Sequence, residues 1–196
     1  MARILTEKNS SRKEVIIQKA ATLFKQKSYS AASMRELADM VGVEAPSLYN
    51  HIGSKSEILQ AICFKVANEF TYQINVVKNG SGNVTSKLRS IIRFHIEMML
   101  NNMDEVYVAN HEWKHLEEPY LSDFLLLRRN YEKSLVTLVE IGIEKKEIKP
   151  INPYVAVLTI LSAIRGLEFW QRNKKNIPIQ VLEDDMIDHL FNGIVR

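Results

Sequence analysis

The chain has 196 residues, 46% hydrophobic and 25% charged, a globular composition that argues against wholesale disorder. Only 7 glycines and 5 prolines punctuate it, too few for an all-β sandwich or barrel, which turns about every 8–12 residues. The net charge is only +3, but residues 1–56 hold nine Lys/Arg against five Asp/Glu, so a +4 segment precedes a nearly neutral remainder. A basic segment on a neutral body is the electrostatic footprint of a chain that meets a polyanion.

The single cysteine, Cys63, has no internal disulfide partner and occupies an apolar helical position, which makes it a core residue. The start MARILTEKNSSRKE has no apolar signal core. No apolar run approaches the roughly 18 residues that span a bilayer. The expected location is the cytoplasm, without membrane association.

Three helix starts use the same S-x-x-E device: Ser11 to Glu14, Ser33 to Glu36 and Ser54 to Glu57. In this capping box the serine accepts from the amide three residues on, and the glutamate answers the serine's own amide. Val15, Ala20, Leu23 and Phe24 make one face of the first helix; Leu37, Ala38 and Val41 make one face of the second. Gly42 reads as the cap that ends the second helix. Between Gly42 and Ser54 there is room for only two turns of helix, and Pro46 is tolerated there in the first turn. A long helix, a short helix, a tight turn at Gly42 and another short helix have the spacing of a helix-turn-helix.

Beyond residue 57 the pattern stays helical. Breaks at 79–83, 101–102, 118–119, 149–153 and 176–178 predict helices over 54–78, 84–101, 104–116, 119–147, 152–173 and 180–194. The predicted fold class is all-α, with a helix-turn-helix domain over residues 1–55 and a larger helical domain over 56–196.

The stretch from Ser33 through Leu59 resembles the signature of the TetR family of bacterial transcriptional regulators. The resemblance rests on Leu37-Ala38, Gly42-Val43, Leu48-Tyr49-x-His51 and Ser54-Lys55 leading to Leu59. Glu44 stands where the family more often has Ser or Thr, and Ile52-Gly53 replaces its usual aromatic-plus-polar pair. The resemblance implies a recognition helix over 45–51, opened by Ala45 and Pro46, that enters the major groove of DNA. It implies Ser33, Tyr49, His51 and Lys55 as phosphate contacts, with Ser47 and Asn50 nearest the base edges. The larger domain then senses a small molecule, and the helix over 54–78 is the lever between effector and DNA. A second resemblance, over Gly142 to Pro153 and Leu158 to Trp170, is to members that sense acyl-CoA thioesters or related lipid-degradation intermediates.

Phe94, Met98, Met103, Tyr107, Trp113 and Phe124 cluster in the middle of the chain at spacings that suit either a helical core or an apolar ligand pocket. Arg128, with Arg93 and Arg129, supplies charge for a ligand phosphate or carboxylate. Further on, Leu158, Ser162, Gly166 and Phe169 fall on one stripe of the helix over 152–173, and Met186 and Leu190 on a stripe of the last helix. Paired across a two-fold axis, these stripes make a four-helix dimer interface, which the resemblance also implies.

One motif competes with this reading. His111-Glu112-x-x-His115 matches H-E-x-x-H, two histidines one helical turn apart with a general-base glutamate, as in a zinc-dependent hydrolase. Such a site needs a third protein ligand, and no Gly-x-x-His follows. The expectation is therefore a ligand-responsive repressor. It binds a palindromic operator as a homodimer and is released by a small apolar or acyl-CoA-like effector. It has no catalytic residue, metal or cofactor.

Overall fold

The structure, a computed structural model, describes residues 12–170 and 177–192, with the side chain of Trp170 outside the description. Ser11 of the first predicted capping box, residues 171–173 of the helix over 152–173, and residues 193–194 of the last helix lie outside the described residues. Among the described residues the chain is all-α: α1 Arg12–Lys27, α2 Met34–Val41, α3 Ala45–Tyr49, α4 Lys55–Asn79, α5 Val84–Asn101, α6 Met103–His111, a 3₁₀ turn Trp113–His115, α7 Tyr120–Glu144, α8 Pro153–Arg165, α9 Leu167–Trp170 and α10 Ile179–Asn192. No helix among them is long and apolar enough to cross a membrane.

Two predicted helices are each split. The helix predicted over 104–116 ends at His111, because the amides of His115 and Leu116 bond three residues back, to Glu112 and Trp113, and tighten the chain into a 3₁₀ turn. The one predicted over 152–173 ends at Arg165, where Gly166, a poor helix former, gives way to the separate turn α9.

The chain divides into two compact units, residues 1–66 with 104–124, and residues 67–103 with 125–196. In the first unit α1 packs on α2 and α2 on α3. Its core joins Ile16, Ala20 and Phe24 of α1 to Leu37 of α2, Leu48 of α3, and Ile58, Leu59 and Ile62 of α4. Two capping devices set the short helices. Ser33 and Glu36 form the full capping box at the start of α2. At α4 the Ser54 hydroxyl accepts the Glu57 amide at 3.0 Å, but the Glu57 carboxylate turns to the amide of Gly53 at 2.8 Å rather than that of Ser54.

In the second unit α5 is the common partner, packing against α8, α9 and α10. Its buried face runs Leu88, Ile91, Ile92, His95, Ile96 and Met99. α7 ends in a Schellman motif: Lys146 takes φ 60, the Glu147 amide bonds the Gly142 carbonyl at 2.9 Å, and the Lys146 amide bonds that of Ile143 at 3.0 Å. This closure folds Ile148 back over Gly142, where a side chain has no room.

The roles of both glycines, Gly142 within α7 and Gly42 at the end of α2, are testable by urea unfolding. A Cβ at Gly142 meets Ile148 Cδ1 at 2.5 Å and Val84 Cγ1 at 3.0 Å, so Gly142→Ala is expected to cost about 1–3 kcal/mol through overpacking. Gly42, at φ 75, has nothing within 4 Å of such a Cβ, so Gly42→Ala is expected to cost only the left-handed backbone term, about 1–2 kcal/mol. An unchanged unfolding midpoint in either variant contradicts the corresponding account.

Candidate functional site

α2, a turn and α3 form the helix-turn-helix. The turn closes on Gly42, whose amide bonds the Ala38 carbonyl at 2.9 Å while that of Val43 bonds the same carbonyl at 3.0 Å. α3 has only five residues, and Pro46 sits in its first turn, where no amide is required. It ends at Tyr49, with Asn50 as its C-cap, so the recognition element is two residues shorter than the predicted 45–51. Such a short helix is held by its two anchors rather than by its own bonds. Leu48 and Ile52, four residues apart, are both buried. The residues between them therefore face out: Tyr49 is 51% exposed, and Asn50 and His51 are exposed. Pro46 is exposed, while Ala45 and Ser47 are half-buried. The substitution of Ile52 for the expected aromatic thus keeps the anchor apolar.

Two of the expected phosphate contacts are engaged within the fold. The Ser33 hydroxyl donates to Glu36 Oε2 at 2.9 Å and accepts the Glu36 amide at 3.2 Å. With Lys27 also donating to it, the Glu36 carboxyl is held down at about 2. Lys55 Nζ donates to the carbonyls of Tyr29 and Ala32, both at 2.9 Å, and of Ser30 at 3.5 Å, and lies 4.5 Å from the Tyr29 ring centroid. An ammonium has three protons. In this arrangement the ammonium ties the start of α4 to the loop between α1 and α2.

Arg35, which the sequence reading passed over, is exposed on α2 and has no acidic partner among the described residues.

The loop that Lys55 holds is also gripped from α6 and the 3₁₀ turn. The Tyr29 amide donates to Glu112 Oε2 at 3.2 Å, and the Tyr29 ring stacks on His115 at 5.3 Å and meets Phe24 edge-on at 5.2 Å. Burial, then the nearby Glu117 charge, raises the Tyr29 pKa. Asp104 accepts from Lys25 at 2.6 Å and Thr22 at 2.7 Å; burial pushes its carboxyl up, but these bonds hold it below its ordinary value. Lys65 pairs with the buried Glu105 at 2.8 Å.

This arrangement corrects the hydrolase reading. In a zinc site the two histidines and the glutamate project from one continuous helix toward one ion. Here the helix stops at His111, whose ring lies 4.3 Å from Tyr107, while Glu112 Oε2 accepts the Tyr29 amide and lies 3.5 Å from His115 Nε2, whose ring stacks on Tyr29. No group of three or more His, Cys, Asp or Glu is placed to hold a metal among the described residues.

The seven expected pocket residues fall in both units. Tyr107, Trp113 and Phe124 belong to the first; Phe94, Met98, Met103 and Arg128 belong to the second. Phe124 is buried beside Phe64, at 6.1 Å, and Phe94 meets Phe70 edge-on at 5.7 Å. Arg93 pairs with Asp184 at 3.4 Å. The second unit contains an apolar crevice lined by Leu88, Ile91, Ile92, His95, Leu135, Val157, Ile160 and Leu161, and none of the seven lines it. His95 Nε2 lies 2.6 Å from the Tyr131 hydroxyl, with its ring stacked on Phe70 at 4.4 Å. A lone histidine in an apolar run reads as core in sequence, and its pairing with Tyr131 is a contact between helices that spacing does not encode.

The outer stripe of α8, continued by Phe169 of α9, is uncovered among the described residues. Leu158 is 65% and Phe169 66% exposed, with Tyr154, Val155, Ser162 and Gly166 also exposed, whereas Ala156, Val157, Ile160 and Ile164 are buried on the inner face. On α10, Met186 and Leu190 are half-buried.

Lys55→Met tests the clamp. It is expected to lower stability by about 1–3 kcal/mol in urea, since the carbonyls lose their donor. Binding to a mixed DNA duplex should weaken without change in its salt dependence. A salt slope smaller by about one unit would place the ammonium on a phosphate instead.

Two family models match the chain: bacterial regulatory proteins of the tetR family over residues 16–62, and the tetracyclin repressor-like C-terminal domain over residues 81–194. The HTH-type transcriptional repressor KstR2 of Mycolicibacterium smegmatis is 22% identical over 142 residues, 72% of this chain and 69% of that one. An uncharacterized HTH-type transcriptional regulator of Bacillus subtilis, YvaF, is 27% identical over 184 residues, 91% of this chain and 93% of that one. Among solved structures, the ketosteroid transcriptional regulator KstR2 of Mycobacterium tuberculosis superposes with a TM-score of 0.88 at 19% identity, covering 96% of this chain and 97% of that one. AibR, solved in complex with isovaleryl coenzyme A and operator DNA, gives 0.80 at 23%, covering 92% and 98%. With its head and more than half of its length matched by these models, the chain belongs to the tetR family of bacterial regulatory proteins.

Proposed function

We propose that this regulator is a repressor that binds a palindromic operator as a homodimer and leaves it when a small effector occupies the second unit. The observation that carries the reading is α3: five residues pinned by Leu48 and Ile52, with Tyr49, Asn50 and His51 turned outward. A short polar helix supported from behind and bare in front is suited to a groove about 12 Å wide. Tyr49, His51 and Arg35 position the head on phosphates, while Ser47 and Asn50, with Ala45 and Pro46 beside them, meet the base edges. As a protein that works on DNA it acts in the cytoplasm, without catalysis of its own.

The second copy covers the outer stripe of α8, with α10 beside it. Leu158, Ser162, Gly166 and Phe169 present large apolar groups around a small centre, which lets a two-fold mate approach closely. Such a dimer spaces its reading heads about 34–36 Å apart, one turn of the duplex. The proposed effector is a small apolar molecule or an acyl-CoA-like thioester. Support comes from AibR, solved with isovaleryl coenzyme A, and from the segments at Gly142 and Leu158 that resemble acyl-CoA sensors. An effector that prefers the form with wrongly spaced heads depletes the operator-competent form.

Selection from random duplexes followed by gel shift tests the reading, and recovery of no preferred sequence would refute it. On the recovered operator, Asn50→Ala is expected to lose discrimination at one position per half-site, by about 1–3 kcal/mol. Arg35→Ala should weaken all sequences alike and reduce the salt slope by about one unit.

The interface has its own test. Leu158→Arg should give a folded monomer by sedimentation that no longer selects the palindrome. Gly166 is the poorer site for this test, because a Cβ there comes within 3.0 Å of the Ala163 carbonyl and disturbs the helix itself. A dimeric Leu158→Arg variant would move the interface elsewhere.

A further inference from the structure

His95 and Tyr131 are two polar side chains in an otherwise apolar part of the second unit. His95 is 9% exposed, stacked on Phe70, and lines the crevice together with Leu135, Val157 and Ile160. Burying a polar ring is costly unless its hydrogen bonds are made. Tyr131 is the ring's only hydrogen-bond partner among the described residues, at 2.6 Å. Burial, and then the charge of Arg165, lowers the His95 pKa to about 3, while burial raises that of Tyr131, so both are neutral at physiological pH.

Counting protons shows what the pair can do. A neutral imidazole carries one N–H and a phenol one O–H. Their mutual bond uses one of the two, whichever group donates. The other remains available, either at imidazole Nδ1 or at the phenol oxygen. The pair therefore holds one spare donor and no charge, next to an apolar crevice that His95, but not Tyr131, lines.

Building on the effector-responsive reading above, we propose that the His95–Tyr131 pair is the recognition point for an uncharged oxygen acceptor, a ketone or thioester carbonyl, on an otherwise apolar effector. A free carboxylate is a poor fit, because it would shed its water without gaining a buried cation. Arg165, the charge felt at the ring, is itself exposed on α8. The crevice has room for about one water molecule, so an effector must part α8 from α5 to enter. The same α8 carries Leu158 and Ser162 on its outer stripe.

The test uses the full chain and three probes of matched length: methyl heptyl ketone, nonanoate and nonane. Calorimetry on the wild type should show the ketone binding about tenfold more tightly than nonane, the worth of one hydrogen bond in apolar surroundings, and more tightly than nonanoate. The double variant His95→Leu/Tyr131→Phe removes both partners together, which avoids an orphaned polar group and preserves folding. In it the ketone should lose its preference over nonane, with nonane binding unchanged. Nitrogen NMR of histidine-labelled protein should show the His95 ring responding to the ketone but not to nonane.

Equal wild-type affinity for ketone and nonane, tighter binding of nonanoate, no saturable ketone binding, or an unaltered ketone preference in the double variant would each overturn the proposal. The selected operator is run alongside. Operator binding without ketone preference removes this site alone, whereas ketone preference without operator binding removes the regulator reading and leaves the site.

Discussion

Lys55 donates its three ammonium protons to carbonyls of the loop between α1 and α2, and the geometry of the reading head follows from that bond set. A loop of this kind exposes unpaired carbonyls, which are costly wherever water is excluded. By answering them from the first residue of α4, the chain joins the start of that helix to the loop that leads into α2. The Tyr29 ring lies against the ammonium on one side and His115 on the other, while its amide is taken by Glu112. One ammonium thus sets the position from which α2 and α3 are launched.

The same economy appears elsewhere in the first unit. Lys13, Lys25, Lys27 and Lys65 all pair with carboxylates. The exposed pairs, those of Lys13 and Lys27, stabilise by at most about 1 kcal/mol each. The larger consequence of all these pairs is on the charge pattern, because four cations of the unit are matched by carboxylates within it.

In the second unit the organising element is α5, which α8, α9 and α10 all touch. Its apolar face is interrupted by His95, and Tyr131 answers it. Close packing magnifies such details: Ile148 seats over Gly142 with no space for a methyl group, while the crevice beside His95 is a local relaxation of that density.

Short-range chemistry was legible in the residues alone. Ser33 with Glu36, Gly42 in its left-handed cap, Pro46 in a first turn and the buried pair Leu37 and Leu48 are local rules, decided within a few bonds of each residue. They were sufficient for the helix-turn-helix, the all-α class and the family. The outer stripe of α8 was readable for the same reason, since a period of 3.6 places Leu158, Ser162 and Gly166 together wherever the helix lies. Contacts between distant segments were not readable. Lys55 reaches back to Tyr29, Glu112 to that same residue's amide, and His95 across to Tyr131, over separations that no spacing pattern encodes. The H-E-x-x-H pentapeptide shows the limit most clearly. Its meaning depends on whether a helix continues past His111, and i−3 hydrogen bonds in the packed unit end it there.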